Sequence, residues 1–362
     1  MTKQLRDEAD AILEGGATSE TWGAIIRLVD ARSGEELEEL VDHLEAELAR
    51  WKVGRHDRWI VTDHDPIYAK SGVSSVFFSR LQRGSMRVAP PHWVKQATTE
   101  GSPRLRLVDA VSLGELKLNS TQALKLLGRE ELVNLRHLDL HDTKLTKTFW
   151  KKAPLLPALQ RLESLRVSIL HEDLAAAVEA APSLPKLRRL AIGQSYSPKP
   201  QRIGALLGSD MVAGVEVVAL ETSNNGRALL DTLRASGLPE LREIEIGSPD
   251  LFDSPLEPLL GYEELASRIE TITILSVEHL TPIDFSALAA LDFGGVGELD
   301  LSGVNAEHRL RGRAEHVEVN RAGALEHVPG SNLAETVKRL RLGDLWSPEL
   351  AAALDGQVEL VE

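Results

Sequence analysis

Apolar positions keep a helical spacing over the first fifty residues and a strand-like spacing beyond residue 104. From Lys3 to Leu13, the side chains Leu5, Ala9, Ile12 and Leu13 share one helix face, and the stretch ends at Gly15 and Gly16. A second helical pattern starts near Ser19 and carries Trp22, Ile25, Ile26 and Val29. The third opens on Ser33, three residues before Glu36, a spacing that predicts a capping box satisfying backbone donors reciprocally. Its apolar stripe is Leu37, Leu40, Val41, Leu44 and Leu48, closed by Trp51. Its other side holds Glu38, Glu39, Asp42, Glu45 and Glu47, expected to be a solvated face, with a docking surface as the sharper alternative.

Between Lys52 and Gly101 no period is held. Trp59, Phe77, Phe78 and Trp93 read as buried, Pro90-Pro91 as a chain break, and Lys52, Arg55, Arg58, Arg80, Arg83, Arg87 and Lys95 make the segment basic. The expectation is a connector that packs against the first of the following elements and covers their open end, since a stack of repeats otherwise leaves a terminal core facing water. The chain thus reads as two regions, residues 1–103 and 104–362.

Beyond residue 104 a short motif recurs, an apolar residue followed two positions later by another. The first members are Leu116, Leu138, Leu165, Leu190, Val218, Ile244, Ile272, Leu299, Val317, Leu340 and Val358. The second members run from Leu118, Leu140 and Val167 to Leu342 and Leu360. Successive first members lie 22, 27, 25, 28, 26, 28, 27, 18, 23 and 18 residues apart. The most regular copy is Leu132-Val-Asn-Leu-Arg-His-Leu-Asp-Leu-His-Asp-Thr-Lys-Leu145, with leucines at 132, 135, 138, 140 and 145 and Thr143 at a hydrogen-bonding position.

That spacing resembles a leucine-rich repeat, and the longer intervals resemble the ribonuclease-inhibitor-like subclass. The resemblance implies an α/β solenoid of about 11 repeats over 104–362, with a parallel sheet on the concave face, helices and arcs on the convex face, and a helical N-terminal cap. Intervals of 25–28 residues leave room for helices, and helical sequences stand at 172–180, 227–234 and 258–265. The 18-residue intervals should be tight arcs. The position where the family places Asn or Cys departs from the pattern. It holds Thr121, Thr143, Leu170, Ser195 and Ser223, then Pro249, Val277, Val304, Ala322 and Leu345, so turns after about Ser248 should be irregular.

Residues between the motif's apolar pair should form the exposed face of the sheet. The inner row is then Lys117, Asp139, Arg166, Ala191, Ala219, Glu245, Thr273, Asp300, Glu318, Arg341 and Glu359. The row before it is Glu115, His137, Ser164, Arg189, Val217, Glu243, Thr271, Glu298, His316, Arg339 and Gln357. At ~4.8 Å per strand such a face spans roughly 48 Å, and with flanking loops approaches the ~800 Å² per partner of an ordinary interface. Lys117, Arg166 and Arg189 make its early end mixed to basic, whereas Glu221, Glu243, Glu245, Glu298, Asp300 and Glu318 make the later stretch acidic. Ala191, Gly193, Ala219 and Gly247 lie between and predict a shallow depression able to take an apolar anchor. Since repeats of this kind mostly bind proteins, the resemblance implies an interaction or scaffold module whose acidic half takes a basic segment of another protein. The competing reading of the face is a solubilising surface.

Charge sharpens this division. Of a net −14, residues 1–50 carry −8, 51–200 carry +10, 201–300 carry −13 and the rest −3. The basic region raises polyanion or nucleic-acid binding as an alternative, through Lys144, Lys147, Lys151, Lys152, Arg161, Lys186, Arg188 and Arg189 with Trp150 to stack. The acidic remainder opposes a long nucleic acid. His56-Asp57 and Asp63-His64-Asp65 keep a second alternative open, a metal-dependent enzyme on the connector, although turn-forming Asp and exposed His explain them equally well. His137, Asp139 and His141 share a strand side, but the two imidazoles are about 13 Å apart by strand rise, too far to share an ion. No phosphate loop, H-E-x-x-H or nucleophile-elbow motif is present. With no Cys, thiolate chemistry is excluded, including that of the ubiquitin ligases built on such repeats. The reading is therefore non-enzymatic and free of cofactor or metal. Without a signal-peptide-like start or a long apolar run, it is also cytoplasmic and away from membranes.

Overall fold

The computed structural model describes residues 1–51, 87–140, 143, 145–168, 181–193, 200–220, 232–233 and 237–246, and beyond them the strands at 271–274, 298–300, 316–318, 339–341 and 359–361. The chain divides into two compact units, one of residues 1–168 with 180–187 and the other of 169–179 with 188–362.

The first unit begins with α1 (Lys3–Leu13), α2 (Ser19–Asp30) and α3 (Gly34–Leu48). Thr2 and Thr18 start the first two, their hydroxyls accepting from the backbone N–H of Leu5 and Thr21 at 3.3 and 3.1 Å. The capping box expected at Ser33 does not form, because Gly34 takes φ +60° at the first helical position and the Ser33 side chain makes no capping bond. Glu36 instead faces Arg32, 3.7 Å away. The expected stripe holds: Leu37, Leu40, Val41, Leu44 and Leu48 are all buried. Pro90-Pro91 is not a break; Pro91 is the first residue of α4 (Pro91–Ala97), where its missing N–H costs nothing.

One indole fastens this helical layer to the sheet. Trp22 of α2 is fully buried, donates from Nε1 to the Val88 carbonyl at 3.1 Å and meets Trp93 edge-on at 6.3 Å. Val88 in turn bridges to Ala110 of the first strand, so the residues entering α4 cover that strand's outer edge. Trp93 and His92 both reach Asp30 at the end of α2, at 2.7 and 2.9 Å.

The acidic face of α3 is exposed at Glu38, Glu39 and Asp42, as expected, and two of its residues also make a second fastening. Glu45 accepts from Arg106 Nε at 2.9 Å and Asn134 at 3.0 Å, and Asp42 lies 2.8 Å from Arg106. Burial works against the Arg106 charge, yet the two carboxylates outweigh it and raise its pKa above the ordinary value. Trp59, Phe77, Phe78 and the His56–Asp65 cluster lie outside the described residues.

The sheet of this unit is β1 (Ala110–Ser112), β2 (His137–Leu140) and β3 (Ser164–Ser168), all parallel. Its register aligns Val111, Leu138 and Leu165, each buried. The first motif therefore sits at Val111/Leu113 and not at Leu116/Leu118. Residues Gly114–Leu116 form a 3₁₀ turn and Lys117 takes the left-handed φ of 50°, which no strand accommodates. Leu118 is still buried, and Asn119 then caps α5 (Ser120–Leu127) through a reciprocal bond pair with Gln122. A further short helix, α6 (Lys147–Lys152), connects β2 to β3. Thr143 does the turn's expected bonding, its hydroxyl donating to the Leu140 carbonyl at 2.6 Å; Thr121 does not, because it belongs to α5.

In the second unit the strands follow in sequence order, each parallel to the next: β4 (Arg189–Gly193), β5 (Val217–Leu220), β6 (Glu243–Ile246), β7 (Thr271–Ile274), β8 (Glu298–Asp300), β9 (His316–Glu318), β10 (Arg339–Arg341) and β11 (Glu359–Val361). The sheet is not closed into a barrel. Its apolar row is Leu190, Val218, Ile244, Ile272, Leu299, Val317 and Leu340, as the motif predicts, but it ends on Leu360 and not on Val358. Between β4 and β5 runs α7 (Pro200–Leu207), with Ile203, Leu206 and Leu207 buried. The helices expected at 172–180 and 258–265 lie outside the described residues, as does all but 232–233 of that at 227–234.

A repeated backbone device precedes the strands. In each case one carbonyl accepts from two consecutive N–H groups at the next strand's start. Arg87 O takes Asp109 and Ala110, Asp109 O takes Arg136 and His137, and Arg136 O takes Glu163 and Ser164. In the second unit Arg188 O takes Glu216 and Val217, and Glu216 O takes Arg242 and Glu243. The residues at this position alternate in charge, and they pair: Arg87 with Asp109 at 3.0 Å, Arg136 with Glu163 at 2.9 Å, Arg188 with Glu216 at 3.2 Å. The Arg87–Asp109 pair is largely buried; the two exposed pairs add little stability, but skipping one strand would set like charges together, so the alternation favours this strand order.

Candidate binding surface

Alternation along the strands puts two rows of residues on the side opposite the apolar row. In the first unit the inner row is Ser112, Asp139 and Arg166, aligned residue against residue. Asp139 accepts from the Ser112 hydroxyl at 3.0 Å and from Arg166 Nη1 at 3.3 Å. Ser112, not Lys117, is thus the neighbour of Asp139 on one side, while Arg166 pairs with it as expected.

The predicted mixed-to-basic, accessible end of the face is corrected here. Asp139, Arg166 and Arg189 are only 5%, 6% and 7% exposed. At a strand spacing of ~4.8 Å a row of long side chains shields itself, and a guanidinium lying on its neighbour's carboxylate neutralises both. Arg166 and Arg189 are therefore buried sheet residues and not a ready contact surface. The anchor depression is corrected in part: Ala191 and Ala219 are register partners and both fully buried, so neither is open to a partner's side chain. Gly193 ends β4 and Gly247 lies outside the described residues.

The acidic half keeps its predicted alignment. The outer row reads Val217, Glu243, Thr271, Glu298, His316, Arg339 and Glu359, and the inner row Ala219, Glu245, Thr273, Asp300, Glu318, Arg341 and Val361. Across β6 to β9, four successive strands at ~4.8 Å spacing, the register aligns Glu243, Thr271, Glu298 and His316 in one row and Glu245, Thr273, Asp300 and Glu318 in the other. Glu243 is half-buried. Beyond them β10 brings two arginines, Arg339 and Arg341, into the same rows. Glu221 lies outside the described residues.

The chain matches no protein-family model and no curated protein. Its functional reading therefore rests on its own residues.

The basic segment loses the stacking residue expected of it. Trp150 is 5% exposed and packs edge-on against Phe149 at 5.3 Å, so this indole is not presented for a base to stack on. The cations proposed to act together are dispersed as well. Arg188 pairs with Glu216, Arg161 donates to the Leu132 carbonyl at 3.3 Å and Arg189 is buried, while Lys147, Lys151 and Lys152 stand exposed on α6. Among the described residues no helix is long and apolar enough to cross a membrane.

Sequence reasoning misses the alternating ladder Arg87, Asp109, Arg136, Glu163, Arg188, Glu216 and Arg242. Its signal is present, since a residue of alternating sign stands two positions before each first apolar member from Val111 to Ile244, and Glu270 continues the series before Ile272.

Proposed function

We propose that this chain is a leucine-rich-repeat solenoid that binds another protein, without catalysis or cofactor, on the strand face of its second unit. The observation that carries the reading is the register of β6 to β9, which collects Glu243, Glu245, Glu298, Asp300 and Glu318 into two adjoining rows. A basic segment lying across these strands would meet carboxylates at regular intervals, and Arg339 and Arg341 would limit how far it extends. The sequence-ordered parallel strands and the recurring carbonyl device support the repeat architecture. A cytoplasmic setting belongs to the same reading, for a chain without Cys whose fold uses no disulfide.

Combined reversal of Glu243, Glu245, Glu298 and Asp300 to Lys should weaken binding of a fluorescent Lys/Arg-rich peptide by roughly 100-fold at low salt. The same four-charge change made at the exposed Glu35, Glu36, Glu38 and Glu39 of α3 controls for net charge and should leave affinity within about threefold of the unaltered protein. Unchanged affinity in the strand-face variant, or an equal loss in the control, would remove the proposal.

A further inference from the structure

A second surface lies on the helices that precede β2 and β3. Helices α5 and α6 contain four lysines, Lys125, Lys147, Lys151 and Lys152, and no acidic residue. Lys125 donates to the Thr99 carbonyl at 2.9 Å, whereas Lys147, Lys151 and Lys152 make no ion pair among the described residues. The helical path continues past α6 through the 3₁₀ turn Ala153–Leu155, so Lys147, Lys151 and Leu155 fall at successive four-residue steps on one side. Leu155 is 66% exposed, against 44% for Val133, the other large apolar side chain exposed among the described residues. Phe149, Trp150, Ala153 and Pro154 fill the opposite side and are buried, so the strip cannot turn inward to hide Leu155.

We propose that this strip, an exposed leucine at the end of a row of unpaired lysines, docks an acidic segment of another protein that brings an apolar side chain to Leu155. The row from Lys147 to Leu155 is about 12 Å long, two turns of helix, which suits a short acidic helix or loop. Charge complementarity selects the partner's sign: the three lysines have no carboxylate partner among the described residues and stand in the 51–200 stretch, which carries +10 in a chain of net charge −14, so an acidic segment gains here and is opposed by the acidic stretches on either side in the sequence. The chemistry of the strip also decides between classes of partner. A nucleic acid would set phosphates against Leu155 and find no exposed aromatic on α6. A lipid surface needs more apolar insertion than one leucine provides, since even a single long acyl chain binds only marginally. This surface is separate from the acidic strand face and does not depend on the reading of that face.

The test uses the full chain and a fluorescent 16-residue peptide rich in Glu and Asp with two central leucines, followed by anisotropy at low and physiological salt. Binding should weaken as salt rises. Lys147→Glu, Lys151→Glu and Lys152→Glu together should weaken it roughly 30-fold. Leu155→Ser should weaken it about tenfold with little change in salt dependence. All four side chains are exposed, and circular dichroism melting curves matching the unaltered protein verify that the variants fold. No peptide binding at low salt, full affinity in the lysine variant, or no effect of Leu155→Ser overturns the proposal. So does tighter binding of a single-stranded oligonucleotide or of phosphatidylserine-containing vesicles, lost in the same variants, which would assign the strip to nucleic acid or to lipid.

Discussion

Trp22→Ala should destabilise the first unit by about 3–5 kcal/mol, read as a lower midpoint in urea unfolding followed by circular dichroism. Trp22 is fully buried, and its ring is the contact between α2 and Trp93. The change removes a large packed volume and also leaves the Val88 carbonyl without its indole donor. Since Val88 bridges to Ala110, the loss should extend to the edge of β1 and increase amide exchange at Ala89, whose N–H donates to the Ala110 carbonyl at 2.9 Å. Trp22→Phe separates the two contributions. It keeps an aromatic ring beside Trp93 and loses the hydrogen bond, so it should cost about 1–3 kcal/mol. Equal losses in both variants would mean that the bond, not the packing, holds the helical layer.

Asp139→Ala should cost about 3 kcal/mol, although the residue stands on the side of the sheet expected to be exposed. The substitution takes a carboxylate partner from the Arg166 guanidinium, which is almost fully buried, and from the Ser112 hydroxyl. Combining it with Arg166→Leu should recover much of the loss, because a leucine needs no counter-charge. That non-additivity distinguishes a buried pair from a surface one. Additive losses, each under about 1 kcal/mol, would show that the pair is solvated after all.

Much of the architecture is legible in the apolar periodicity. From Leu138 to Leu340 the spacing places each strand where the structure has it, because a short strand of this sheet has one apolar pair to turn to the core. The two end registers differ from the spacing, for a physical reason. Leu116 and Leu118 have the spacing of a strand pair, yet Lys117 between them is left-handed, and the apolar spacing of a turn is indistinguishable from that of a short strand. At Leu360 the pairing with Leu340 displaces the register by two residues, a shift that keeps the same side chains on the same face and so leaves no trace in the alternation.

The binding face is legible in side but not in depth. Alternation puts Asp139, Arg166 and Arg189 on the correct side of their strands, but it is silent on how closely a row of neighbours covers them. Trp150 shows the same limit on a helix. Its basic company suggests a stacking residue, while Phe149 beside it and the apolar run that follows bury it. The acidic side of α3 is exposed at Glu38, Glu39 and Asp42 as expected, but the ion pairs that Asp42 and Glu45 make are not legible, because their partner, Arg106, stands some sixty residues away in sequence.

The most direct test of the repeat architecture is a distance series within the second unit, which a chain without native Cys allows free of background labelling. Single cysteines at Glu243, Glu298, Arg339 and Glu359 carry spin labels in pairs that share Glu243, and pulsed dipolar spectroscopy measures each pair. Sequence-ordered parallel strands require the separation to grow steadily, with backbone distances of about 10, 19 and 24 Å for partners two, four and five strands away. A separation that fails to increase from Glu298 to Arg339 to Glu359, or that shortens at Glu359, would contradict the stacked order of strands on which the proposed binding face depends.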